Sequence, residues 1–390
     1  MFRRRHGSWI AAGLVAVAVM TARIEAAPRQ STLATAIDSL GAFEFPTRMA
    51  ASRTVRRAPA AQAVPALTAA VRSHKDSYVR YRALVLLVGF DDPATPALIR
   101  SVMADPNDRL RALAYEWFER HPDGAPVAAL VEALPKETSE FVRPALTRAL
   151  AAMSADPRAR QAIAPLVMSG EDFFRGEVIQ ALGDYNATWA SASIVSVAKL
   201  DGPLQDDAVL AVGKIGDATV VPVLAALQKQ ASRERQPAIA AAICMSGTNS
   251  DGMRKYLDDT LRFAAADNRF QSLLRTSSHA IGALAARGDQ DALASLLTVG
   301  SSAREQARAP IALAFGAAAV QNPEAIMTAL AARKTDQAAA IELLRDAFDM
   351  LEEDFAEEMF YITVRRGLWA APEGSPARRL AEAVLQKLEF

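Results

Sequence analysis

An all-α, right-handed superhelix of about nine or ten stacked helical hairpins is the fold this sequence predicts, and three observations predict it. Arg48, Arg80, Arg111, Arg143 and Arg175 recur at separations of 32, 31, 32 and 32 residues. Three residues after each stands Ala51, Ala83, Ala114, Leu146 or Val178, and seven after each stands Val55, Leu87, Phe118, Leu150 or Leu182. Those offsets share one helical face. The third observation is that no strand-like alternation of any length competes with this pattern. A unit of this period is a pair of helices that buries its apolar face only against its neighbours.

The elements follow in chain order. Arg3, Arg4 and Arg5 precede an uncharged apolar run from Trp9 to Met20, and small residues lead on to Pro28. Residues 1–26 therefore read as a secretory signal peptide, cleaved near Ala26 or alternatively Ala22. The apolar run is short for a bilayer, so a retained N-terminal membrane anchor is the second reading. Each helix marked by an arginine follows another apolar helical stretch: Val64 to Val71, Pro96 to Met103, Val127 to Leu134 and Ile163 to Met168. Turns are marked by Asp92-Pro93, Asp105-Pro106, Asp156-Pro157 and Asn322-Pro323, where a short polar side chain caps and proline fits the first helical turn. The expected organisation is a signal peptide over 1–26, a solenoid over 27–345 that is regular to about 229 and looser over 253–345, and amphipathic capping helices over 346–390.

Composition bounds the function. Without residues 1–26 the chain keeps 40 basic and 43 acidic side chains, which is not the balance of a nucleic-acid binder. One cysteine, Cys244, excludes an internal disulfide framework and reads as a small core residue. The expected location is periplasmic or secreted, with no membrane span once the signal is removed.

Two segments carry a family resemblance. Asp206-Asp207-Ala208-Val209-Leu210-Ala211-Val212-Gly213-Lys214-Ile215-Gly216-Asp217 followed by Val221-Pro222-Val223-Leu224, and Tyr78-Val79-Arg80-Tyr81-Arg82-Ala83-Leu84 after Asp76, are similar to HEAT repeats, in particular the bilin-lyase-type HEAT-like repeat. The resemblance spans roughly 31–345 and implies an α-solenoid. It also implies that the recurring arginine is structural, reaching the aspartate side of the adjoining repeat; Gln205 departs from the pattern. Acids three or four residues ahead of the arginines, Asp76, Asp108, Glu140 and Glu171 or Asp172, are the expected local partners. In the second half, Ala303-Arg304-Glu305-Gln306-Ala307 resembles another inner-helix start.

Leu344, Phe348, Leu351, Phe355, Met359 and Ile362 recur at helical spacing beside seven acids from Asp346 to Glu358. This predicts one amphipathic helix whose acids form the solvated outer face of a cap. A final helix is expected over Ala377 to Leu388.

Chemistry is sparse. The histidines after the signal are His74, His121 and His279, and none is followed by glutamate. The repeated His-Glu pairs of the related di-iron deoxyhypusine hydroxylases are thus missing, and no metal site is expected. Ser277 and Ser278 precede His279 directly, but neighbours on a helix diverge by about 100° and do not form a relay. Ser196-Val197-Ala198-Lys199 matches Ser-x-x-Lys without its partner motifs, and Gly213-Lys214 lacks the glycines of a phosphate loop. No catalytic, metal or cofactor residue is assigned. Tyr78, Tyr81, Tyr115 and Trp117 are the partner-binding candidates, because aromatics dominate binding hot spots. The expected function is a non-enzymatic exported scaffold holding a protein or peptide on its concave face, with no nucleic acid. The alternatives are a lyase-like accessory factor that carries a small molecule onto another protein, and a structural part of an envelope assembly.

Overall fold

The computed structural model describes residues 26–247, 250–351 and 354–390. The expected signal peptide lies outside the described residues, apart from Ala26. Twenty-two α-helices and six short 3-10 turns make up the described chain, with no strand among them.

The first twenty helices form ten hairpins, each an outer helix followed by an inner one. They are α1 (Ala26–Ser39) with α2 (Phe45–Arg57), α3 (Ala60–Ser73) with α4 (Ser77–Val88), α5 (Thr95–Val102) with α6 (Asp108–Arg120), and α7 (Val127–Ala133) with α8 (Arg143–Ala152). Then come α9 (Pro157–Ile163) with α10 (Asp172–Asp184), α11 (Ser191–Ala198) with α12 (Gln205–Ile215), and α13 (Val221–Gln230) with α14 (Gln236–Met245). The last three are α15 (Ser250–Ala265) with α16 (Gln271–Ala286), α17 (Gln290–Ser302) with α18 (Arg308–Gln321), and α19 (Pro323–Ala332) with α20 (Gln337–Leu351). A terminal hairpin, α21 (Asp354–Ala370) and α22 (Pro376–Lys387), follows. Inner helices stack on inner helices from α6 through α20, which is the solenoid arrangement the period predicts.

Local chemistry explains the starts and stops. Asp76 accepts from the Tyr78 and Val79 amides at the start of α4, Asp156 from Arg158, and Asn322 from Ala325. Each satisfies backbone donors that the first helical turn leaves open. Gly216 ends α12 in the left-handed conformation at φ 75°, which a residue with a Cβ rarely adopts. The core is one continuous layer between the two rows of helices, with Val55, Leu67, Leu87, Ile99, Phe118, Leu146 and Phe315 all fully buried. Burying such a side chain contributes about 1.5–3 kcal/mol each.

In the later repeats small residues set the spacing between inner helices. A Cβ on Gly183 would sit 2.7 Å from Cα of Ala211, and Gly213 faces Ala242, Gly282 faces Ala314 and Gly316 faces Ala347 in the same way. Each glycine lies eight residues after the arginine position where that position is Arg175, Gln205 or Arg308. The equivalent residues earlier are Arg56, Val88, Glu119 and Ala151, so the glycine at this position first appears in the fifth hairpin.

Two expectations are corrected. The inner helix of the ninth hairpin begins at Arg308, not at Arg304, because a 3-10 turn over Glu305–Ala307 precedes it. The acidic segment is two helices rather than one. The Phe348 and Phe360 rings lie 4.9 Å apart, whereas one continuous helix would separate them by about 18 Å. Its acids do not all form a solvated face: Glu358 is 1% exposed, and Asp354 is ion-paired to Arg82.

Candidate interaction surface

The arginine period is resolved into a repeated contact. The first-turn side chain of an inner helix donates to the last carbonyls of the outer helix before it: Arg80 Nε to Val71 O at 2.7 Å, Arg175 Nε to Val167 O at 3.2 Å, and Arg308 Nη1 to Gly300 O at 2.9 Å. Gln205 to Ala198 O at 3.0 Å, Gln236 to Ala231 O at 3.4 Å and Gln337 to Leu330 O at 2.9 Å do the same with an amide. Orphaned helix-end carbonyls are thereby satisfied, which is why either side chain serves. A second contact needs the guanidinium: Arg80 pairs with Asp105 at 2.5 Å and Arg111 with Glu137 at 2.8 Å, each reaching the next turn. The expectation of local acid partners is thus corrected for Arg80 and Arg111 and holds for Arg175, which reaches Asp172 at 2.9 Å. Arg143 instead lies 3.9 Å above the Phe174 ring.

The concave side is lined by paired charges. The carboxyl ends of the inner helices converge, so that Tyr185, just beyond α10, donates to Glu119 on α6 at 2.6 Å, and Arg287 beyond α16 reaches Asn186 beyond α10 at 3.4 Å. Arg148 lies between Glu119 and Asp184, at 2.9 Å from each, and Lys214 meets Asp184 at 2.6 Å. Burial pushes the Asp184 carboxyl up, but Lys214 and Arg148 outweigh it and hold the group ionised. Burial, then Glu119, pushes the Tyr185 hydroxyl well above the ordinary phenol range. His279 is reached by solvent yet sits deep in this crowded concavity. The crowding, then Lys214, lowers its pKa, while Asp207 and Asp206 pull the other way. Ser277 bonds the Leu274 carbonyl and Ser278 is buried, so neither hydroxyl forms a relay with His279. Burial raises the Cys244 thiol to about 11. Among the described residues no group of three or more His, Cys, Asp or Glu is placed to hold a metal ion.

The terminal hairpin completes the closure. α21 packs against α18 and α19 on one side and α4 on the other. Arg56 meets Glu358 at 2.5 Å, Arg82 meets Asp354, Arg366 meets Asp91, and Arg365 donates to Gly89 O at 2.7 Å. The two ends of the solenoid therefore touch.

What remains open is the opposite rim, where outer helices turn into inner ones. Seven of the ten exposed large apolar side chains among the described residues lie there: Phe43, Phe45, Phe141, Met168, Phe173, Leu200 and Phe263. Hairpins four to six each expose at least one of them at successive turns, and a row of exposed apolar side chains is the kind of surface that marks an interaction site. The four aromatic candidates divide across this boundary. Tyr78 and Tyr81 are partly exposed beside Arg109, whose guanidinium lies 5.7 Å from both rings and 5.7 Å from Phe141. Tyr115 is 1% and Trp117 8% exposed, so as surface candidates these two are corrected to core residues, Trp117 stacking on His121 at 4.1 Å. Phe141 and Phe173 were missed because each stands two residues ahead of an arginine, at a position where the apolar helical pattern has not begun. The repeat spacing itself could have found them.

Two clefts open between repeats near this rim. One of about 560 Å³ is lined by Lys199, Asp201, Gln205, Asp206, Val209, Leu227, Arg235 and Ile239, among others. The other, about 490 Å³, includes Arg111, Tyr115 and Glu137.

The fold is an α-solenoid of stacked helical hairpins. Residues 95–183 match the family profile for HEAT repeats, and the hairpins on either side repeat the same helical arrangement. Comparison with curated protein sequences returns no match. Among solved structures the chain is similar to the complex of CpcE and CpcF of phycocyanin lyase from Nostoc, at 17% identity over 67% of this chain and 98% of that one, with a TM-score of 0.41. It is also similar to a Kap121p mutant, at 12% identity over 92% of this chain and 45% of that one, with a TM-score of 0.40. A third likeness is to a structure of the cadherin and beta-catenin interaction, at 15% identity over 91% and 80% of the two chains, with a TM-score of 0.24. These likenesses are of repeated helical hairpins and extend no further. No helix among the described residues is long and apolar enough to cross a membrane.

Proposed function

We propose that this protein is an exported, non-catalytic scaffold of the cell envelope that holds a protein or peptide partner along its turn rim. The observation that carries this is the concentration of exposed Phe43, Phe45, Phe141, Met168, Phe173 and Leu200 on that one edge. The concave face, the first expectation from sequence, carries paired charges, and α21 joins the two ends of the stack, so this reading takes the rim as the partner surface. Export rests on the N-terminal pattern of three arginines and an apolar run. A photo-crosslinking residue placed at Phe141 tests the reading in cells: capture of a specific envelope chain there, and its loss from the same position in Phe173→Ser protein, is the expected result. Capture only from a probe on the concave face, or none in the envelope fraction, overturns it. A small-molecule carrier is the second reading, and the cleft at Gln205 is the observation in its favour.

A further inference from the structure

The cleft at Gln205 lies where the ion-pair half of the ladder is broken. In the second and third hairpins a guanidinium spans the gap to the next turn and pairs with Asp105 or Glu137. Gln205 is shorter and satisfies only the Ala198 carbonyl and Arg235. The following turn supplies a cation, Arg235, which is directed to Asp201 at 2.7 Å. Between these residues lies the 560 Å³ cleft, and a shallower apolar hollow of about 310 Å³ adjoins it, sharing Lys199, Leu227 and Gln230.

Inside the cleft Asp206 makes no hydrogen bond or ion pair among the described residues, although its carboxylate is partly buried. Burial raises its pKa, Arg235 and His279 only partly oppose that, and the neighbouring Asp207 charge adds to the rise. A desolvated carboxylate with no partner is costly, and a cation placed beside it removes the cost. The walls facing it, Val209, Leu227 and Ile239, are apolar, and Ile239 is 3% exposed. We propose that this cleft binds a primary ammonium carried on an aliphatic body, the ammonium against Asp206 and the body against Leu227 and Ile239. A peptide's N-terminal leucine-like residue and a free small amine share that chemistry.

Calorimetric titration of the purified protein tests this with four probes: leucinamide, N-acetyl-leucinamide, 4-methylpentanoate and a tripeptide amide beginning with free leucine. Leucinamide and the tripeptide are expected to bind, and acetylation is expected to weaken binding at least tenfold. Asp206→Asn, which keeps the shape and removes the charge, is expected to do the same, and Leu227→Ser is expected to weaken both ligands severalfold. A tripeptide at least tenfold tighter than leucinamide assigns the cleft to a chain terminus; equal affinities assign it to a small amine. Equal binding of the acetylated probe, unchanged binding by Asp206→Asn, or preferential binding of 4-methylpentanoate through Lys199 overturns the inference. The rim reading stands or falls separately, on capture at Phe141.

Discussion

Arg56 and Glu358, 302 positions apart in the chain, meet at 2.5 Å, the one side chain 6% and the other 1% exposed. The Arg56 guanidinium also lies 4.6 Å from the Tyr361 ring and 5.2 Å from that of Phe390. One side chain of the first hairpin is thus packed into the last. Repeat stacks are otherwise held only by nearest neighbours, so this contact couples the ends and makes the stack a closed unit.

Breaking that pair is therefore expected to be costly. Glu358→Ala leaves the Arg56 charge buried and unpaired, a change worth about 3–5 kcal/mol. Replacing both partners, Arg56→Met with Glu358→Leu, is expected to recover most of the loss. Thermal unfolding checks both variants. Hydrogen exchange adds a spatial readout: Glu358→Ala should raise exchange in α2, α4 and α21 before the middle repeats respond.

Small residues on the inner helices predict a second effect. Gly183→Val would drive a side chain into the backbone of Ala211, where even a Cβ lies 2.7 Å from Cα. Helices α10 and α12 would have to part, at a cost of about 1–3 kcal/mol or more. Gly202 has open space around it, and Gly202→Val is the matched control. A melting comparison of the two variants decides the point.

Acid should loosen the ladder. The Arg111 hydrogen bond holds the Glu137 carboxyl below its usual range, and burial only partly offsets it. At Asp105 burial acts upward, but Arg80 and the Asn107 amide outweigh it and the carboxyl is also held low. A depressed pKa contributes stability that is fully present above the unfolded value of about 4 and is lost as pH falls through the folded value. Stability should fall below about pH 4, and Glu137→Gln should flatten that fall while lowering stability at neutral pH. Urea midpoints measured across pH 2.5 to 7 as a series would show it.

How much of this was legible in the sequence depends on the range of the contact. The period, the apolar face and the starts at Asp156-Pro157 and Asn322-Pro323 are local, and they give the hairpins; at Asp92-Pro93 and Asp105-Pro106 the helix begins later, at Thr95 and Asp108. Arg80 could be recognised as structural, yet its partner Asp105 lies 25 residues on, so the nearer Asp76 looked equally suitable and is instead the helix cap. Gln205 looked like a loss because the carbonyl contact an amide preserves leaves no trace in a charge pattern. Closure was the least legible: Glu358 on an amphipathic stripe reads as solvated unless Arg56 is known to arrive. Tyr115 and Trp117 were ambiguous for the same reason, since an aromatic on a helix faces core or solvent according to neighbours that sequence does not order.

Asp207 supplies a prediction of opposite sign. Burial raises its pKa, His279, Gln180 and Lys214 oppose the rise, and Gln180 donates to its Oδ1 at 3.1 Å. A carboxyl whose folded pKa is raised binds its proton more tightly folded than unfolded, so ionising it opposes folding. That cost is absent below the unfolded value of about 4, grows as pH rises through the folded value, and is complete above it. Asp207→Asn keeps the acceptor for Gln180 and removes the charge. It should melt higher than the parent at pH 7 and equally with it near pH 3. It also takes away a neighbour that favours the His279 imidazolium, so the His279 pKa, followed by NMR, should fall further in the variant. A lower melting temperature at pH 7 would mean that the Asp207 carboxylate is stabilised in the concavity by contacts stronger than the burial that opposes it.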